Sequence, residues 1–66
     1  MADLIWVIQV QGTDTYVKTV VPLTTTGNLS EAHVYQSQQD ATTDATYLNS
    51  LNNGNSYFVG HVPRPH

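Results

Sequence analysis

A chain of 66 residues with no cysteine has room for one small domain and holds neither a disulfide nor a thiolate metal site. Two basic residues, Lys18 and Arg64, stand against Asp3, Asp14, Glu31, Asp40 and Asp44, for a formal net charge of −3. Two cations cannot neutralise a run of phosphates, so direct nucleic-acid binding is not expected, and the sparse carboxylates make a poor mimic of nucleic acid.

The segment Asp3 to Gln11 is rich in β-branched and aromatic residues and predicts a first strand. Alternation places Leu4, Trp6, Ile8 and Val10 on one face, expected to lie under a helix, and Ile5, Val7, Gln9 and Gln11 on the other. Gly12 to Thr15 is a turn signal and predicts a hairpin. The second strand, Tyr16 to Val21, stops at Pro22, which has no N–H for a ladder. Val17, Thr19 and Val21 form its better core face, which leaves Tyr16, Lys18 and Val20 on the opposite one. Leu23 to Asn28 reads as a loop, Ser30 to Ala32 as a single helical turn and His33 to Tyr35 as a short third strand.

Ser37 is a good helix N-cap, because its hydroxyl can accept the N–H of Asp40. Ala41, Ala45, Leu48 and Leu51 then recur at helical spacing and form one narrow stripe. Thr42, Thr43 and Thr46 are mediocre helix formers, so packing has to hold this helix. Asn52 to Asn55 ends it, with Gly54 free to take a left-handed conformation. A last strand runs from Tyr57 to Val62 and is stopped by Pro63 and Pro65. The expectation is one α+β domain over residues 1–62, with a tail at 63–66. It has a small antiparallel sheet of three to four strands and one helix on one face, in the order β-β-(β)-α-β. The last strand should lie beside an earlier one, antiparallel to the helix.

The apolar residues outnumber the cover available. One helix hides one sheet face, yet both faces of the first two strands carry apolar side chains. A second copy of the chain is the simplest cover, and self-association is a common remedy for so small a core. The predicted homodimer interface comprises Ile5, Val7, Tyr16, Val20 and Tyr57.

Little else suggests chemistry. His33, His61 and His66 are the only imidazoles, and their spacing matches no metal motif. Asp40 and Asp44 share a helix face, where carboxylates near an N-terminus commonly just favour the helix dipole. No nucleophile elbow and no phosphate-binding glycine loop is present. The expectation is therefore a non-enzyme with no catalytic residue, no metal and no cofactor. No stretch approaches a membrane span and no basic segment precedes Leu4, so no membrane association or signal peptide is expected, and the expected compartment is the cytoplasm.

Trp6-Val7-Ile8, then Tyr16-Val17-Lys18, then Ser30-Glu31-Ala32-His33-Val34-Tyr35-Gln36-Ser37 leading into Ala41, Ala45 and Leu48, span most of the chain. This pattern resembles small phage and prophage accessory proteins of low-GC Gram-positive bacteria. The resemblance implies a protein of the bacterial host cytoplasm that binds and inhibits a host protein, such as a defence component. Two other roles fit the composition: a structural or assembly subunit, and a small-ligand or metal-binding module using His33 and His61.

Overall fold

A computed structural model describes residues 3–51 and 54–64. Strand β1 (Leu4–Val10) leads through a Gly12 turn with φ of 83° into β2 (Tyr16–Thr19). A turn with a cis Val21–Pro22 bond leads to β3 (Thr24–Thr26), and helix α1 (Gln38–Ser50) precedes β4 (Tyr57–Pro63). The strands form one antiparallel sheet in the order β3-β2-β1-β4. The small α+β architecture expected from the sequence is thus present, and the last strand does lie beside an earlier one.

The third strand is not the expected one. Thr24–Thr26 pairs with β2, across a register shift between Val17 and Thr19. His33 to Tyr35 instead makes a single bridge, Trp6 to Tyr35. Beyond the Gln9–Tyr16 pair, β1 and β2 diverge, and this segment enters between them. The His33 N–H donates to the Val17 carbonyl at 3.0 Å, and the Tyr35 N–H donates to the Trp6 carbonyl at 2.8 Å. Backbone groups that a regular hairpin would pair with each other are satisfied by the inserted segment.

Helix α1 starts as its sequence dictates. The Asp40 N–H donates to Ser37 Oγ at 3.2 Å, and the cap residue itself is extended. Ala41, Ala45 and Leu48 are buried, whereas Leu51 is 44% exposed. The alanine stripe lets the helix sit close over Ile8, Val10, Val17 and Tyr57, with Trp6, Val20, Leu23 and Val59 at the margins. Of the expected terminator, Gly54 has φ of 89°, while Asn52 and Asn53 lie outside the described residues, as do Pro65 and His66.

The second sheet face is covered by the chain itself. Ile5 and Val7 are 2% and 0% exposed and pack with Ala32, with Tyr16, Leu29 and Val62 around them. Leu29–Glu31 forms one 3-10 turn, the single turn that the sequence suggests near Ser30. This turn is tied across the face by Glu31, which accepts from Asn28 Nδ2 at 2.8 Å and lies 3.5 Å from Lys18 Nζ. The amide and then the ammonium hold the Glu31 carboxyl below the usual carboxylate range. The premise that a second molecule must cover Ile5 and Val7 is corrected accordingly: residues 29–32 cover them.

Candidate functional site

The five residues expected at an interface do not form one surface. Ile5 and Val7 are buried under the 3-10 turn, with Tyr16 half-buried beside them. Tyr57 is buried on the helix side, and Val20 is half-buried at the margin of the same cluster. Tyr57 pairs with Val10, and directly paired residues share a face, which puts Tyr57 under the helix. Val20 lies beyond the end of β2, where strand alternation no longer fixes its direction.

The histidines are also separated from any shared task. His61 sits opposite Trp6 on the neighbouring strand, and the two rings stack 3.7 Å apart at an interplanar angle of 6°. His33 meets the Tyr35 ring edge-on at 4.5 Å. Among the described residues no three His, Cys, Asp or Glu side chains come together as a metal site. Asp40 and Asp44 serve different ends: Asp40 gives its N–H to the cap, and Asp44 accepts the Tyr35 hydroxyl at 2.7 Å.

Tyr35 is therefore a strap, its N–H on β1 and its phenol on α1. Burial, and then the Asp44 carboxylate, push its phenol well above the ordinary tyrosine range. Above about pH 10 the unfolded phenol ionises while the folded one keeps its proton, so stability falls as pH rises beyond that point, by up to ~1.4 kcal/mol per pH unit. Tyr35→Phe should cost about 1–2 kcal/mol at neutral pH. It should also flatten the alkaline decline, as read by urea unfolding from pH 7 to 11. An unchanged alkaline slope would remove Tyr35 as its source.

The sheet has two edges, the three-residue β3 and the longer β4, and the candidate site is the outer edge of β4. Its register with β1 runs unbroken from Leu4–Pro63 to Val10–Tyr57. Beyond each end, the Arg64 N–H reaches the Asp3 carbonyl and the Gln11 N–H reaches the Ser56 carbonyl, both at 2.8 Å. Antiparallel alternation then assigns the backbone groups of Phe58, Gly60 and Val62 to β1 and turns those of Tyr57, Val59, His61 and Pro63 outward. The Tyr57 pair is occupied: its N–H donates to Asn49 Oδ1 at 2.8 Å, and Asn49 Nδ2 donates to its carbonyl at 3.0 Å. Pro63 has no N–H to offer. Between these closed ends, the outward hydrogen-bonding groups of Val59 and His61 have no partner among the described residues.

The side chains along this edge suit contact. Phe58 is 44% exposed on the face away from the helix, the face that half-buried Val62 shares. Gly60 leaves room there for Gln9, since a Cβ at Gly60 would lie 2.8 Å from Gln9 Nε2. Trp6, stacked on His61, helps to line a groove of about 510 Å³ together with Val34, Gln36 and Arg64. Nothing before the fold is known marks the edge: strand order decides that β4 is outermost, and the Asn49 clamp joins residues in different elements.

No helix among the described residues is long and apolar enough to cross a membrane. Comparison with protein-family models, curated proteins and solved structures returns no match for this chain.

Proposed function

We propose that this chain is a non-enzymatic binding protein that acts as a homodimer and works by occupying a surface of a larger host protein. The observation that supports this reading is the outer edge of β4. It is a seven-residue strand without an Asp, Glu, Lys or Arg, its central outward backbone groups without a partner among the described residues and its Phe58 exposed. Open edges of this kind are templates for pairing with another chain. The host target, and its inhibition, follow from the resemblance to phage accessory proteins.

The test is capture from a Gram-positive lysate with the intact chain and with a His61→Pro bait. Proline at His61 removes an outward N–H and leaves the β1 ladder intact. Because the edge joins the two copies and the host surface is met by the dimer, a stoichiometric host protein held by the intact chain and lost from the edge-blocked variant is expected. Recovery of bait alone from both would count against a host target and favour self-assembly.

A further inference from the structure

We infer that the outer edge of β4 is the dimer seam, with two copies pairing antiparallel about a two-fold axis at Gly60. This deepens the homodimer reading above and rests on it.

The inference comes from where the edge is closed. Tyr57 is taken by Asn49 and Pro63 lacks an N–H, and these two positions lie equally far from Gly60 on either side. The open window is Val59 and His61, also symmetric about Gly60. With the axis at Gly60, Val59 of one copy faces the partner copy's His61, and each exchanges both of its hydrogen bonds. All the outward groups in the window are then satisfied. An axis at Val59 instead sets His61 against the clamped Tyr57 of the other copy. An axis at His61 sets Val59 against Pro63. Either shift leaves the off-axis residue without a full set of partners, so the Gly60 register is the most complete.

Side chains agree with this register. On the face away from the helix, exposed Phe58 meets half-buried Val62 of the other copy, an aromatic and β-branched pair of the kind that stabilises sheets. Gly60 meets Gly60 at the axis and contributes no side chain of its own, while Gln9 lies over it on the face away from the helix. Among the charged residues, none lies within β4 to oppose its own copy. A foreign strand would gain the same backbone bonds, whereas the chain's own β4 supplies a window of equal length with matching closed ends. The product is a continuous sheet in which β4 is no longer an edge.

The absence of native cysteine makes the register directly readable. Residues facing each other in a non-hydrogen-bonded pair have Cα atoms about 4.5 Å apart, within disulfide reach. Sedimentation equilibrium from micromolar to millimolar concentration should give a mass twice the 7.3 kDa of the chain. Gly60→Cys should then cross-link to itself under mild oxidation. Val62→Cys should not, because its own copy lies about 13 Å along the strand. Since a side chain at residue 60 displaces Gln9, a second arm avoids that site. Phe58→Cys and Val62→Cys, each inert alone, should form a mixed disulfide when combined. A dimeric mass without these cross-links would overturn the β4 seam and leave the homodimer standing. A monomeric mass at millimolar concentration would overturn both.

Discussion

Val7→Glu should unfold this chain, not simply separate a pair of copies. Val7 is fully buried between the sheet and residues 29–32, with Ile5 and Ala32 as neighbours. Among the described residues, the two basic side chains already face other carboxylates. Lys18 is turned to Glu31, and both of those side chains are about half exposed. Burying an unpaired charge is among the few changes that cost more than about 4 kcal/mol. A domain of this size has roughly 3–10 kcal/mol of stability to lose. Circular dichroism should show loss of native structure at 25 °C. Val7→Ala, which removes two buried methyl groups, should stay folded at a cost of about 2 kcal/mol. A Val7→Glu chain that keeps native ellipticity and only halves its mass would mean that this face is covered by another molecule.

The same residue shows how far the sequence could be read. Alternation correctly assigns Ile5 and Val7 to the side away from the helix, and Ile8, Val10 and Val17 to the side beneath it. The Ser37 cap and the Ala41, Ala45 and Leu48 stripe are equally legible, because both depend on residues within one turn or two of each other. What alternation does not carry is the path of the connection. Ser30 to Ala32 reads as no more than a single helical turn, yet the link from β3 to α1 crosses the second face there and buries it with Leu29 and Ala32. Its anchors are the His33 and Tyr35 N–H groups on strands far away in sequence, and Glu31 over Lys18. Tyr57 illustrates the same gap. Its face follows from its register with Val10, and that register depends on β4 returning beside β1. The candidate edge is still less visible, since it exists only because β1 and not β4 is central.

The other large effect should come from Leu48→Ala. Leu48 is fully buried and is the one large aliphatic side chain that α1 sets into the helix-side core, between its alanines and the residues of β1 and β4. Its truncation removes the transfer energy of the lost methyl and methylene groups. It also leaves a cavity that close-packed neighbours fill only partially. Such changes cost about 2–5 kcal/mol. For a domain this short, about 3 kcal/mol corresponds to a Tm lower by on the order of 15 °C. Leu51 occupies the next position of the same sequence stripe, but its 44% exposure places it at the end of the helix with little to lose. Leu51→Ala should therefore cost less than about 1 kcal/mol, near the ordinary surface value. Paired thermal melts separate two accounts of this helix. If the stripe as a whole were the determinant, the two variants would fall together. If contact with the sheet is the determinant, Leu48→Ala falls far and Leu51→Ala hardly moves. The second outcome is expected, because the threonine-rich sequence gives α1 little intrinsic helicity and only the turns held against β1 and β4 can be sustained by packing.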